Sequence, residues 1–518
     1  MNPIPLLHDY LADAAQRYPE KVALVCGDQR VRYGELDQRA NALASALVGR
    51  GVARGDRVVI FGDNLPETAL SFWAVLKANA VVSIVNPLTR PDKLAYLLND
   101  CRATALIADA HLGRVFVHAA ARAPSLRAVV AFGRGVHTPA MKALPGFSAL
   151  ESILAGSSGA VCPTRRTLDV DLASLIYTSG TTGEPKGVML THRNMLTAAT
   201  SISSYLEVAH DEVILGVLPL AFDYGLYQMI MAFREGARLV LERSFAFPTQ
   251  VLNRVVQEGV TGFPGVPTIF AMLAEMTSLS EYDFSRIRYV TNTAAALPVK
   301  HIRMLQGLFP KARIYSMYGL TECKRCTYLP PDDINRKPTS VGVAIPNTEL
   351  WLVDENDRKL GPNKVGQLVV RGATVMRGYW EKPEETARKL RPGPLPGEQV
   401  LYTGDLCRMD DDGYLYFVAR MDDIIKTCGE KVAPKEVEHA IMDISGVREA
   451  AVIGIPDDVL GQAVKAFVVL ERGARLDEHV IIRECQRRLE RFLVPKLVTF
   501  VPELPKTDTG KVTKAGLA

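Results

Sequence analysis

The sequence predicts an α/β architecture built on parallel sheets, and three observations carry the prediction. Short apolar runs alternate with longer stretches of helical period along the chain. The intervening helices are long enough to cross over between parallel strands, which covers both faces of a sheet. Composition agrees: 48% of residues are apolar and 23% charged, as in a globular protein with ample core. At 518 residues the chain is long enough for three or four structural units of about 150 residues each.

Taken in order, Pro5 to Tyr18 has helical spacing and Val22 to Val25 is strand-like. Tyr33 to Gly49 is an amphipathic helix with Leu36, Ala40, Leu43, Ala44 and Leu47 on one face. After the turn Arg54-Gly55-Asp56, Arg57 to Phe61 reads as a strand, Pro66 to Ala78 as a helix and Val81 to Val85 as a strand. Asp92 to Asp100 is helical, with strands at Ala105 to Ala108 and Ala128 to Phe132. Residues 133–168 are rich in Gly, Pro and Ser and read as a long excursion.

The excursion leads to the most distinctive stretch, Tyr-Thr-Ser-Gly-Thr-Thr-Gly-Glu-Pro-Lys-Gly-Val at 177–188, entered by the apolar run Leu172 to Tyr177. Glycines at 180, 183 and 187 let backbone N–H groups converge on one anion. Hydroxyls of Thr178, Ser179, Thr181 and Thr182 add donors, and Lys186 adds a compact positive charge. Such a stretch suits phosphate, although it is not the GxxxxGK[ST] pattern. As composition alone, it is equally a Gly/Ser/Thr surface loop.

Beyond it, His192 to Leu206 is a helix, Glu212 to Leu218 a strand, and Phe222 opens an apolar helix running through Phe233. Asp223 stands among aromatics, where an unpaired carboxylate is costly. It is either an N-cap or a carboxylate awaiting a cation such as a substrate ammonium. Val260 to Phe263 and Arg288 to Thr293 read as strands, followed by Ile-Tyr-Ser-Met-Tyr-Gly-Leu-Thr-Glu at 314–322. There an aromatic beside a glycine can stack on a base while backbone approaches a ligand. Thr321 and Glu322 add a hydroxyl and a hard-oxygen ligand suited to Mg²⁺. In Tyr402-Thr-Gly-Asp405-Leu, the aspartate is either a turn residue or an acceptor for two ribose hydroxyls.

Other classes are disfavoured. A net charge of +4 leaves no nucleic-acid footprint, and no run of about 20 apolar residues argues for a membrane span. No basic region followed by an apolar stretch marks a signal peptide at the N-terminus. Eight scattered cysteines predict a reducing compartment, the cytoplasm, without a disulfide framework. The lone C-x-x-C at Cys323 to Cys326 lacks partners for a zinc site.

Five stretches occur in one order: YTSGTTGEPKGV at 177–188, YGLTE at 318–322, YTGDL at 402–406, Arg420 to Lys426, and Pro505 to Lys511. Together they resemble the adenylate-forming superfamily of acyl-CoA synthetases, amino-acid adenylation domains and luciferases, over essentially the whole chain. The resemblance implies a large N-terminal domain of stacked α/β subdomains, residues 1–420, and a small mobile α+β C-terminal domain, residues 421–518. Asp422 matches its hinge residue.

It also implies the chemistry. A carboxylate attacks the α-phosphate of ATP to give an acyl-adenylate and pyrophosphate, and a phosphopantetheine thiol, on CoA or a separate carrier protein, then displaces AMP. Thr178, Ser179, Gly180, Thr181, Thr182, Gly183 and Lys186 would hold the phosphates and Glu322 the Mg²⁺. Tyr318 would stack on adenine, with Thr321, Ala294 and Ala295 beside the nucleotide, and Asp405 and Arg420 would hold the ribose. Lys511 would reach the reacting carboxylate, and the Gly429 loop would line the thiol tunnel.

The acid pocket would include Phe222, Asp223, Tyr227, Gly265, Asn292, Met317 and Cys326. Phe222-Asp223 resembles the pair that grips the α-ammonium in amino-acid adenylation domains, while Leu320 replaces the proline common in modular ones. The expected substrate is therefore an amino acid or amino-bearing acid. The alternatives are a fatty- or aryl-acid CoA ligase and a catalytically silent nucleotide-binding scaffold. Lys511, Glu322 and Asp405 occurring together disfavour the scaffold.

Overall fold

The structure is a computed structural model that describes residues 6–156, 159–178, 184–293, 297–427, 430–457, 460–506, 512–514 and 516–517. It divides into two compact units. One comprises Met1–Thr339, Ala344–Glu349 and Val370–Leu401; the other comprises Ser340–Val343, Leu350–Val369 and Tyr402–Ala518.

The first unit contains two large sheets. In one, the strands Val81–Val85, Arg57–Phe61, Ala105–Asp109 and Ala128–Phe132 run parallel, bounded on one side by Leu172–Thr178. The excursion adds an edge strand at Ser148–Ala149 and short helices at Pro139–Lys142 and Leu150–Leu154. In the other sheet, Val22–Cys26, Arg238–Leu241, Val213–Gly216, Gly262–Gly265, Tyr289–Asn292 and Arg313–Tyr318 are neighbours in that order, all parallel. The chain goes from Val213–Gly216 to a strand on one side and then returns to Gly262–Gly265 on the other. That reversal makes the crevice at the carboxyl ends of these two strands the usual ligand position in an open α/β sheet.

Between the sheets lie helices that are apolar nearly all round, as full burial demands. Pro66–Lys77 packs on strands of both sheets, and its Trp73 ring stacks on Phe233 of Asp223–Glu235 at 5.3 Å. Lys77 ends that helix at 3% exposure. Its ammonium donates to Asp37 Oδ1 and Asn41 Oδ1, each at 2.6 Å.

The second unit has an α+β core. Val447–Asp457 and Gly461–Leu470 form a long antiparallel pair, and Leu497–Phe500 lies parallel to the latter. Val437 and Ile441 of the helix Pro434–Met442 and Ile481 and Cys485 of Glu478–Arg488 pack with Val452, Val464 and Val468. Among the described residues no helix is long and apolar enough to cross a membrane, and none of the described cysteines is in a disulfide.

Candidate functional site

The phosphate-loop expectation falls largely on Ser179, Gly180, Thr181, Thr182 and Gly183, which lie outside the described residues, as do Ala294, Ala295, Gly429 and Lys511. The residues bracketing the first loop are placed. Leu172–Thr178 and Lys186–Thr191 are antiparallel, with Thr178 opposite Lys186, so the loop spans a β-hairpin. The strand Lys186–Thr191 was not legible in the sequence, because Pro185 and Gly187 read as loop residues.

Two further residues organise this end of the hairpin. The Lys186 ammonium pairs with Glu385 at 2.6 Å, and its hydrogen bond holds the Glu385 carboxyl below the usual carboxylate range. The same ammonium lies 5.7 Å from the centroid of the Tyr379 ring. Tyr379 in turn donates its hydroxyl hydrogen to Glu322 Oε1 at 2.7 Å. It reaches this position because Gly378–Tyr379 pairs as an edge strand with Lys186–Thr191, Tyr379 opposite Val188. The structure thus ties Lys186 to Glu322 through a tyrosine that sequence reasoning missed. The only signal was the aromatic pair Tyr379-Trp380 after a glycine.

Glu322 is half-buried, and its backbone carbonyl accepts from Met376 N at 2.7 Å. Its second carboxylate oxygen, Oε2, has no hydrogen bond among the described residues. A hard anionic oxygen next to an oriented one suits Mg²⁺. The other ligand-like trio, Asp63, Asp109 and His111, is an ion-pair cluster that also meets Arg243.

Several of the residues expected to line an acid pocket lie at the carboxyl ends of neighbouring strands. Gly265 lies opposite Asn292 and Asn292 opposite Ser316, at the carboxyl ends of adjacent parallel strands. Met317 and Tyr318 follow at once, Met317 buried and its sulfur 3.0 Å from the Tyr205 hydroxyl. The helix Asp223–Glu235 starts at the same edge. Its N-cap is Phe222, which makes no side-chain cap, so Asp223 is a first-turn residue and not the cap. Tyr224 donates to the carbonyl of Thr291 at 2.9 Å and shares a hydrogen with its hydroxyl at 2.7 Å. Burial pushes the Tyr224 hydroxyl up to about 12. Tyr227, also buried, is raised as well, first by desolvation and then by the Asp223 charge.

The stretch 318–327 forms a closed loop: Tyr318 pairs with Thr327, and Cys326 N donates to Tyr318 O at 2.9 Å. Gly319 is needed inside it, since a Cβ there would meet the Lys324 carbonyl oxygen at 2.1 Å. The glycine therefore serves the loop's own backbone; the expectation was that it admits a ligand. Thr321 and Glu322 sit half-buried on the loop, and Cys323 and Cys326 bring their sulfurs 3.2 Å apart in the interior.

Between those cysteines the structure places two buried cations. Lys324 is 1% exposed, in left-handed backbone at φ +65°, with its ammonium 5.2 Å from the Tyr227 ring centroid. Arg325 is buried too, its guanidinium 4.6 Å from the Tyr224 centroid. Burial lowers Lys324 to about 8, and among the charges around it Asp223 acts most strongly to keep it protonated. Neither cation was singled out from sequence, because consecutive Lys and Arg read by default as a solvated turn.

In the second unit, Asp405 and Arg420 face each other across antiparallel strands, Nε to Oδ1 3.5 Å, with Asp405 buried and Arg420 exposed. Asp405 N donates to Thr403 Oγ1 at 3.1 Å. Asp422 lies exposed in the short 3₁₀ turn Met421–Asp423. The ends flanking residues 507–511 are joined by a bridge between Lys506 and Val512, and Lys514 pairs with the buried Glu438 at 3.2 Å. Burial alone would raise the Glu438 carboxyl, but Lys435 and Lys514 hold it below the ordinary range.

Comparison with known proteins finds matches along the chain. Residues 11–380 fit the family model described as AMP-binding enzyme, and residues 436–511 fit the AMP-binding enzyme C-terminal domain. A long-chain-fatty-acid–CoA ligase of Bacillus subtilis is 32% identical over 99% of this chain and 95% of its own. A 4-coumarate–CoA ligase of Oryza sativa is 29% identical over 99% and 94%. Among solved structures, the anthranilate CoA ligase AuaEII in complex with anthranoyl-AMP superposes with TM-score 0.88 at 27% identity, covering 98% of this chain and 96% of that one. ATP-bound MatB from Rhodopseudomonas palustris gives 0.88 at 29%, covering 98% of each.

Proposed function

The chain belongs to the AMP-binding enzyme family and is an AMP-forming acid–thiol ligase, and from that premise we propose that it joins a carboxylic acid without an α-ammonium to CoA. One observation carries this choice of acid. Asp223, the carboxylate expected to grip an ammonium, already has the buried Lys324 ammonium among its neighbours in charge. A substrate ammonium would make a second cation on one carboxylate, with Arg325 close by as a third positive charge. Like charges crowded in a poorly solvated site repel strongly. The named acids of the similar ligases, a long-chain fatty acid, 4-coumarate and anthranilate, support the same reading.

In the first half-reaction a carboxylate oxygen attacks the α-phosphorus of ATP and pyrophosphate leaves. Two anions must meet, so the protein's main task is electrostatic compensation. Lys186 and the donors of 178–183 would take the β- and γ-phosphates. Glu322, oriented by Tyr379, would hold Mg²⁺, which supplies charge neutralisation at the phosphates. Tyr318 would stack on adenine, and Asp405 with Arg420 would hold the ribose. In the second half-reaction the CoA thiolate attacks the acyl carbon and AMP leaves. The proposed domain boundary lies at 420/421, with Asp422 as the hinge that withdraws Lys511 between halves.

Acid-dependent ATP–pyrophosphate exchange, followed by thioester formation with CoA, tests the proposal. Exchange with simple acids and transfer to CoA are expected; exchange with amino acids alone would overturn it. Lys511→Ala is expected to lose roughly 10²–10³-fold in exchange while largely sparing thioester formation from supplied acyl-adenylate. Equal loss in both halves would remove that division of roles.

A further inference from the structure

We propose that Lys324 and Arg325 form an anion subsite that takes a second carboxylate on the acid substrate, an inference that rests on the acid–CoA ligase reading above. Three buried donors, two on this loop and one on the helix it packs against, have no acceptor among the described residues. They are the Lys324 ammonium, Arg325 Nε and the Tyr227 hydroxyl, none of which makes a hydrogen bond among the described residues. Lys324 stands over the Tyr227 ring and Arg325 over the Tyr224 ring, so the two cations line the start of one helix, Asp223–Glu235. The one further bond from Arg325, Nη1 to the Lys324 carbonyl, is long at 3.5 Å.

Buried donors without acceptors are rare, and buried ammonium groups without a hydrogen-bonded anion rarer still. Cation–π contact with tyrosine offsets only a small part of the lost hydration. Asp223 and, more weakly, Glu322 act as negative charges on Lys324, but no carboxylate among the described residues makes an ion pair with Lys324 or Arg325. What these donors lack is an acceptor, and a carboxylate, with several lone pairs in one plane, meets that need. The fold also spends effort on the placement. Lys324 is held in left-handed backbone, and Gly319 leaves the space that its carbonyl fills. Arg325 stands over Tyr224, whose hydroxyl donates to Thr291 next to Asn292, which sets the pair on the side of the residues expected in the acid pocket.

The experiment compares alkanoic monoacids with α,ω-dicarboxylic acids of equal carbon number, using the full chain, in pyrophosphate exchange and CoA thioester formation. At least one diacid is expected to exceed its monoacid in kcat/KM by roughly 10–100-fold, the worth of one charge-assisted hydrogen-bonded pair. The gain should lie mainly in KM. Lys324→Met should lower that diacid-to-monoacid ratio by a similar factor, and Lys324→Gln, which keeps donors but loses charge, should fall between. A native ratio at or below one, or a ratio that neither variant moves, overturns the subsite. Reaction with monoacids but no diacid sinks the subsite alone, whereas reaction with amino acids only sinks the underlying reading as well. A ratio unchanged in Lys324→Met with a lowered thermal midpoint would make Lys324 a structural counter-ion of Asp223 instead.

Discussion

Two lysines of the first unit are almost equally buried, Lys77 at 3% and Lys324 at 1% exposure, yet they are treated differently by their surroundings. Lys77 ends a helix packed between sheets and finds two oxygens, on Asp37 and Asn41, at 2.6 Å. Lys324 follows the end of the strand Arg313–Tyr318, in left-handed backbone, with no acceptor among the described residues. A satisfied buried charge is part of the scaffold. An unsatisfied one, kept at a place where ligands bind, is a cost the fold carries for function.

The largest test of this contrast is Lys77→Met. Removing one partner leaves the Asp37 carboxylate uncompensated, and about 3–5 kcal/mol of stability should be lost. Thermal or urea unfolding of the variant reads this directly. A harmless Lys77→Met would erase the distinction from the scaffold side.

The second test uses pH. Burial lowers folded Lys324 to about 8, against 10.5 for an exposed lysine. Below about pH 8 both folded and unfolded chains carry the proton, and the fold bears the whole cost of the buried charge. Between about 8 and 10.5 the unfolded chain holds the proton that the folded one has released, so stability attributable to this group rises with pH. Lys324→Met should therefore be more stable than the native chain near neutrality, by up to ~3 kcal/mol. The advantage should shrink toward zero by about pH 10.5. A flat difference across that window would show that Lys324 is satisfied after all.

The smallest effect is expected from Gly319→Ala. The added methyl must push away the Lys324 carbonyl, with a cost of about 1–3 kcal/mol. It should also reduce the diacid-to-monoacid ratio, because the ammonium shifts with its backbone. Loss of stability without any change in that ratio would separate the loop's geometry from the cation's role.

How far the sequence could be read depended on the kind of signal. Elements with clear period were legible nearly to the residue: the helix read at Tyr33 to Gly49 is Tyr33–Gly49, and Arg57–Phe61 is the strand expected there. Short strands next to glycine and proline shifted, as at Gly262–Gly265, where the reading ended two residues early because Pro264-Gly265 looks like a turn. The ordered motifs led to the family, since their chemistry is local in sequence. What could not be read was long-range or contrary to default. Tyr379 and Glu385 meet Lys186 only through sheet pairing and folding of a distant segment. Lys324-Arg325 bears the mark of exposure in sequence and is buried in fact. The reading of Asp223 as an ammonium grip took no account of Lys324, a cation about a hundred residues further along the chain whose charge acts on the same carboxylate.

The Lys186–Glu385 pair has a consequence of its own. If Lys186 takes the phosphates as proposed, the seat is already filled by a resident anion when the nucleotide arrives. Binding is then an exchange of one acid for another, and the carboxylate set loose must find water or a new partner. Such an arrangement would keep stray anions from settling on a bare ammonium. It would also make the grip on the triphosphate a contest, one that the outgoing pyrophosphate, with fewer charges to offer, would lose more readily.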